Sequence, residues 1–159
     1  METIERFLAY AVKVEEEAAL RFGQLADAMR SCGNTDAAKL FGRLSDYSRM
    51  HLKDARARSG FRDIPVLTPA DYVWPDLESP ETAAIWAADP FIGRDQALEV
   101  ALAAETASFE YYTRLRDTTD DPEIRIMASE FADEEAEHVA ELKKWIGVHE
   151  AGGALTSAG

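Results

Sequence analysis

The chain has 159 residues, of which 47% are hydrophobic, so it is long enough to bury the core of one globular domain. Its net charge of -13 would repel phosphate backbones, and charges interrupt every apolar run, so neither nucleic acid nor a membrane is an expected partner. The single cysteine, Cys32, excludes an intrachain disulfide and a four-cysteine metal site. The first residues lack the layout of a signal peptide, which predicts a cytoplasmic protein.

Two helices joined by a short loop are predicted at the start of the chain. The segment from Glu2 to about Arg30 is rich in Ala, Glu and Leu and has no proline, as expected of a long helix. Gly33 and Asn34 then provide a stop and a cap. A second helix is predicted from Thr35 to about Ser59, closed by Gly60.

Two further helices are predicted in the second half of the chain. The third is expected to begin with Asp95 as its N-cap and to end near Asp117. The fourth is expected to begin after Asp121, with Pro122 at the favoured first helical position, and to end near Gly147.

The segment between the two helix pairs, residues 60–94, is predicted to be a long crossover because it holds five of the six prolines. Within it, Ser79 is a plausible cap for a short helix. Short loops make each helix pair antiparallel, and the crossover lets the second and third helices run in the same direction. The predicted fold is therefore all-α, a four-helix bundle over residues 1–150. Small polar residues predict a disordered tail at 151–159.

Each predicted helix has an inward-facing stripe that advances by alternating steps of three and four residues. Every stripe is apolar towards both ends and polar near its middle. The four stripes are Ile4, Leu8, Ala11, Glu15, Ala18, Phe22, Leu25 and Met29; Ala37, Phe41, Leu44, Ser48, His51 and Ala55; Leu98, Ala101, Glu105, Ser108, Tyr112 and Leu115; and Ile124, Ala128, Phe131, Glu135, His138, Leu142 and Trp145.

The charged and imidazole members of these stripes should meet at one level of the bundle. An unpaired carboxylate in a low-dielectric core is costly, so three glutamates with two histidines need a common cation. Glu135 and His138 are three residues apart, which places both on one helix face and suits a shared metal. Taken singly, each residue has an ordinary explanation, such as a solvated face or a hydrogen-bonded core histidine. The combination favours a metal site made by Glu15, His51, Glu105, Glu135 and His138.

The second helix pair repeats the pattern of the first. EEEAALRF, residues 15–22, and ETASFEYY, residues 105–112, share a Glu, a small residue three positions later and an aromatic residue seven positions later. The separation of Glu and His is similar in the two halves, 36 residues in the first and 33 in the second. Each helix pair is therefore expected to contribute an equivalent half-site.

These segments, together with YSRMHL around His51 and FADEEAEHVAELKKWI at 131–146, resemble the rubrerythrin branch of the ferritin-like diiron-carboxylate proteins. The resemblance covers the four helices and not the crossover or the tail. It implies a ferritin-like bundle that binds two iron ions. Glu15 and His51 would hold one ion, Glu105 and His138 the other, and Glu135 would bridge them.

The resemblance also implies an oxidoreductase of the peroxidase or ferroxidase type, which oxidises ferrous iron with dioxygen or hydrogen peroxide. The family's rubredoxin-like iron site needs four cysteines and cannot be built with Cys32 alone, so a separate electron donor is expected. A homodimer or a higher homo-oligomer is the expected assembly.

Two serines depart from the family pattern. Ser48 stands where the family has the Glu of the helix-two Glu-x-x-His, and Ser108 stands where rubrerythrins carry a further carboxylate. Three carboxylates with two neutral imidazoles leave two divalent ions incompletely neutralised, so the second ion is expected to bind weakly or to need an exogenous anion. Asp54 could substitute in part, although its neighbours Lys53 and Arg56 suggest a surface position.

Three alternatives stay open on the sequence alone. Zinc or manganese could occupy the site instead of iron. The protein could bind or handle iron without catalysis, which the absence of a carboxylate at position 48 favours. It could also be a degenerate bundle that serves as an interaction module.

Overall fold

The computed structural model describes residues 3–60, 62, 64–65 and 94–150. In these ranges the chain forms four helices, which are α1 (Ile4–Ser31), α2 (Thr35–Ser59), α3 (Arg94–Thr118) and α4 (Pro122–Glu150). The predicted all-α class is therefore confirmed. The predictions for most of the crossover, including the short helix at Ser79, and for the tail at 151–159 lie outside the described residues.

The first two helices each begin after a residue whose side chain caps the helix N-terminus. The hydroxyl of Thr3 accepts a hydrogen bond from the backbone N–H of Arg6 at 3.1 Å, and α1 begins at the next residue after Thr3. The side chain of Asn34 accepts one from the backbone N–H of Ala37 at 3.4 Å. Gly33 supplies the positive φ of 81° that the turn between the helices requires. The predicted bounds of α2 are confirmed.

The second helix pair differs from its prediction at two ends. The predicted N-cap at Asp95 is wrong, because α3 already begins at Arg94. An acidic residue also favours the first turn of a helix, so its presence alone does not mark the boundary. The predicted end near Gly147 is also wrong, because α4 continues to Glu150. Gly147 is exposed, and a glycine in a helix costs only about 1 kcal/mol, which is too little to end it.

Asp121 caps α4 as predicted. Its Oδ1 accepts hydrogen bonds from the backbone N–H groups of Glu123 at 2.9 Å and Ile124 at 3.4 Å. We expect Asp121→Ala to lower the free energy of unfolding by about 1 kcal/mol, because these two groups lose their acceptor. Urea denaturation measures the change. The exposed neighbour Asp120 is the control, and an equal loss in Asp120→Ala would show that general charge and not capping is responsible.

Contacts along the helices establish their directions. The hydroxyl of Ser45 on α2 donates a hydrogen bond to the backbone carbonyl of Ala19 on α1 at 2.8 Å, and Arg56 lies 3.6 Å from Glu16. Residue numbers thus rise along α2 as they fall along α1, so the two helices are antiparallel. The α3 and α4 helices also pack as a pair.

The two pairs pack side by side, with α2 beside α3 and α1 beside α4. Phe7 near the start of α1 contacts Tyr112 near the end of α3, and the end of α1 shares a cluster with the start of α3. Since α1 is antiparallel to both α2 and α3, these two helices run in the same direction, as predicted.

The core consists of two apolar clusters at opposite ends of the bundle. The first cluster contains Ile4, Phe7, Leu8, Tyr10, Ala11, Val14, Ala55, Tyr111, Tyr112, Ile124, Ala128, Phe131 and Ala132. The second cluster contains Ala18, Phe22, Ala26, Met29, Ala37, Ala38, Leu40, Phe41, Leu44, Ala97, Leu98, Ala101, Ala104, Leu142 and Trp145. All four helices contribute to both clusters. Of the helices described, none combines the length and the apolar character that a transmembrane span needs.

Candidate metal centre

A polar layer separates the two apolar clusters. On each helix the predicted acid or imidazole residues fall after the last member of one cluster and before the first member of the other. This layer contains Glu15 on α1, His51 on α2, Glu105 on α3, and Glu135 and His138 on α4. The sequence predicted that these residues would meet at one level, and the structure brings all five together.

The glutamates of the layer are buried. Glu15 is 4% exposed, whereas its neighbour Glu16 is exposed, so the predicted helix register holds at this position. Glu105 and Glu135 are each 1% exposed. Burial of three carboxylates in a small helical bundle requires protons, cationic partners or a metal ion to balance their charge.

One half of the layer is centred on His51. Its Nδ1 lies 3.5 Å from Oε1 of Glu15 and 3.5 Å from Oε1 of Glu135. Its other nitrogen, Nε2, lies 3.6 Å from Oε2 of Glu134. Sequence analysis did not single out Glu134, because it belongs to an acidic run that is typical of a solvated face.

The other half repeats this arrangement around His138. Its Nδ1 lies 3.5 Å from Oε2 of Glu105 and 3.8 Å from Oε2 of Glu135. The imidazoles of His51 and His138 are nearly parallel, with ring centres 4.7 Å apart. The two halves are thus equivalent in their inner contacts, as the internal repeat in the sequence predicts.

Glu135 lies between the two halves and contacts both. Its Oε1 faces Nδ1 of His51, and its Oε2 faces Nδ1 of His138. Donor atoms of these three residues all lie within 4.8 Å of one another, close enough to hold one metal ion. A tetrahedral ion about 2.1 Å from its donors holds two of them about 3.4 Å apart, which agrees with most of the contacts in this layer.

Buried polar atoms without hydrogen bonds are also consistent with a metal site in the layer. Oε2 of Glu105 and Nδ1 of His138 are fully buried and face each other, yet neither makes a hydrogen bond of normal geometry to a described residue. Within the same part of the chain, the buried hydroxyl of Ser108, one turn along α3, also lacks a hydrogen-bond partner. Buried polar atoms are nearly always satisfied in proteins, and metal coordination would satisfy the carboxylate and the imidazole.

The charges of the layer shift the pKa values of its ionisable side chains. Burial acts to lower the pKa of His51, but contact with Glu15 and the charges of Glu134 and Glu105 outweigh it and raise the pKa above its usual value. Burial acts to raise the pKa of Glu105, but contacts with Glu135 and His138 outweigh it and hold the pKa below its usual value. In the metal-free layer a protonated imidazole therefore balances part of the buried negative charge, and a metal ion that binds there would displace that proton.

Neither Asp54 nor the two serines at positions 48 and 108 supplies a fourth carboxylate to the layer. Ser48 is 3% exposed and occupies the position where the family pattern has a Glu. Asp54 accepts a hydrogen bond from Nε of Arg58 at 3.1 Å, so it takes part in a separate ion pair on α2. Asp54 therefore does not substitute for the missing carboxylate.

Tyr47 is a second neighbour of the layer that sequence analysis missed. Its ring stacks on His138 with centres 4.9 Å apart, and its hydroxyl donates a hydrogen bond to Oε1 of Glu141 at 3.3 Å. His138 is thus held between the rings of Tyr47 and His51. The available signal was the spacing of Tyr47 and His51, which places both on one face of α2.

The fold and the polar layer together define the class of this protein, a four-helix protein with a candidate metal centre of glutamate and histidine. Neither a family model nor a curated protein matches the sequence. The crystal structure of a COG1633 protein, an uncharacterized conserved protein from Magnetospirillum magnetotacticum MS-1, is similar to this chain. The two share 34% sequence identity and a TM-score of 0.70, over 91% of this chain and 94% of that one. The chain belongs to the family of that protein, COG1633.

Proposed function

We propose that the protein binds two transition-metal ions, with iron as the native metal, in the polar layer between the two apolar clusters. Glu15 and His51 hold one ion, Glu105 and His138 hold the other, and Glu135 bridges them. The observation that carries the proposal is the position of Glu135, whose two oxygens face Nδ1 atoms of different histidines. Imidazole nitrogen with carboxylate oxygen is a donor set that suits iron, manganese and zinc.

The charge balance predicts unequal binding of the two ions. Three carboxylates and two neutral imidazoles leave a net positive charge with two divalent ions, because Ser48 contributes no charge. The first ion therefore binds more tightly than the second, and a small anion completes the second site.

We further propose a rubrerythrin-like oxidoreductase activity. When bound there, ferrous iron would supply the electrons for reduction of dioxygen or hydrogen peroxide. The apolar clusters lie on both sides of the layer, and its three glutamates are 4% exposed or less, so these carboxylates contact little bulk water. The carboxylates of Glu15, Glu105 and Glu135 would hold the ions and balance part of their charge. Since the chain has one cysteine, re-reduction requires a separate electron-donor protein.

Loading the metal-free protein with ferrous iron under anaerobic conditions tests the proposal. We expect about two iron ions per chain by elemental analysis, and rapid oxidation of that iron when dioxygen or hydrogen peroxide is added. Fewer than about 0.2 metal ions per chain, with iron, manganese and zinc all tried, would rule out the metal centre.

A second candidate function is metal binding without catalysis, which the buried Ser48 favours. In that case the protein would take up metal in the same stoichiometry, and the bound iron would oxidise no faster than free iron in the same buffer. The two functions therefore differ in one measured quantity, the rate of iron oxidation.

A further inference from the structure

Ser108 carries a buried hydroxyl that no described residue satisfies. Its side chain is 0% exposed, and its Oγ has no hydrogen-bond partner in the described part of the chain. Serines within helices commonly donate to the backbone carbonyl four residues earlier, as Ser31 and Ser59 do in this protein. Ser108 makes no such bond. Since buried polar groups are nearly always satisfied, its hydroxyl is available to a ligand.

Ser108 and Ser48 both belong to the polar layer. Ser108 is three residues from Glu105 on α3, and Ser48 is three residues from His51 on α2, so each serine shares a helix face with a proposed metal ligand. On its own helix, each serine also falls between the two apolar clusters. Ser48 is 3% exposed. Two buried serines thus lie next to the proposed ligands.

Ser48 leaves the layer short of one carboxylate group. The side chain of serine is shorter than that of glutamate by the carboxylate itself, so a free formate ion corresponds to the missing part. Two divalent ions carry four positive charges, and the three buried glutamates carry three negative charges. One monovalent anion would therefore neutralise the layer with both ions bound.

The anion and the second metal ion should bind together. In the metal-free layer an anion would meet the three buried carboxylates of Glu15, Glu105 and Glu135, which repel it. With two ions present the net charge is positive and attracts it. Coupling between two ligands is reciprocal, so an anion that prefers the doubly loaded layer also strengthens binding of the second ion.

The layer meets the surface of the bundle at its two histidines. The side chains of His51 and His138 are 17% and 13% exposed, whereas the three glutamates are 4% exposed or less. A small anion can therefore approach the layer beside the imidazoles. We expect so limited an exposure to suit formate and to exclude an anion that carries an aromatic ring.

We infer that Ser108 and Ser48 form a binding site for a small monovalent anion, which controls binding of the second metal ion. The hydroxyl of Ser108 donates a hydrogen bond to the anion. Ser48 leaves the anion the position that a glutamate side chain would take. This inference rests on the proposed function, since the anion binds only where two ions are held.

Cobalt titration of the metal-free protein, followed by absorption spectroscopy, tests the inference. One titration contains perchlorate, an anion that coordinates metals weakly, and the other contains formate at the same concentration. We expect one tightly bound ion in both, and a second ion that binds about 5- to 150-fold more tightly with formate. Benzoate, a carboxylate with an aromatic ring, should behave as perchlorate does. An equal effect of benzoate and formate would overturn the inference.

Two substitutions test the role of each serine. Ser108→Ala should raise the formate concentration that gives half of the effect by about 10-fold or more, because the anion loses a hydrogen bond. Ser48→Glu should supply the missing carboxylate, so the second ion binds tightly in perchlorate and formate has no further effect. Ser31→Ala removes an exposed hydroxyl at the end of α1, and this control should respond to formate as the wild type does.

Failure of the anion site differs from failure of the metal centre. Tight binding of two ions without formate would overturn the anion site and leave the metal centre in place. A wild-type response to formate in Ser108→Ala would have the same meaning. A wild-type protein that binds no cobalt in either titration would overturn the metal centre, and the anion site with it.

Discussion

Glu135→Gln is expected to abolish binding of both metal ions. Glutamine has nearly the volume of glutamate and can still fill the space between His51 and His138, but it cannot bridge two ions with two negatively charged oxygens. Each half-site then retains only one carboxylate and one imidazole. We expect the metal content to fall from about two ions per chain to fewer than about 0.2, measured by elemental analysis after dialysis.

The control for this substitution is Glu137→Gln. Glu137 lies two residues further along α4 and is exposed, whereas Glu135 is 1% exposed, so the same chemical change removes a charge outside the layer. Glu137→Gln should bind metal as the wild type does. Full retention of two ions by Glu135→Gln would contradict the bridging role of Glu135. It would show that one histidine and one carboxylate are enough to hold each ion.

Thermal stability provides a second readout of the same variant. A ligand at about 100 times its dissociation constant stabilises the folded state by about 2.7 kcal/mol, which for a chain of this size raises Tm by about 5 to 10 °C. We expect this rise in the wild type and not in Glu135→Gln. In the metal-free state the variant should be as stable as the wild type or more so, because a buried negative charge is removed without a change in volume.

The positions of the buried residues were largely predictable from the helical period. Most members of the four stripes are buried, and Leu25 and Leu115 are half-buried because they lie near the edges of their stripes. The polar interruptions were also predictable, because burial of Glu15 follows once its helix register is known. Since a stripe repeats along a helix, a few well-placed apolar residues determine the register of all the others.

Contacts made from outside the stripes were not predictable. Phe7 and Val14 are fully buried although they lie off the predicted stripe, because α1 packs against helices on more than one side. Glu134 and Tyr47 reach the layer by the length of their side chains and not by their position on an inward face. A pattern of residue types along one helix contains no information on how a long side chain bends towards a neighbouring helix.

Phe7→Ala is expected to cause a large loss of stability in the metal-free protein. Phe7 is 0% exposed, and its ring stacks on Phe131 with centres 5.7 Å apart and meets the edge of Tyr112 at 6.2 Å. It therefore joins the first helix pair to the second. Truncation of a buried phenylalanine costs about 3 to 5 kcal/mol, which is a large part of the total stability of a single domain. Urea denaturation of the metal-free variant measures the loss.

Metal binding should offset part of this loss, because the ions join the same two helix pairs. The first pair supplies Glu15 and His51, and the second supplies Glu105, Glu135 and His138. If the centre forms independently of Phe7, saturating metal should raise the Tm of Phe7→Ala as much as it raises that of the wild type. A smaller rise would show that the apolar contact of Phe7 also aligns the two half-sites. Leu20→Ala, at a position on α1 that is 54% exposed, should change stability by less than about 0.5 kcal/mol in both states.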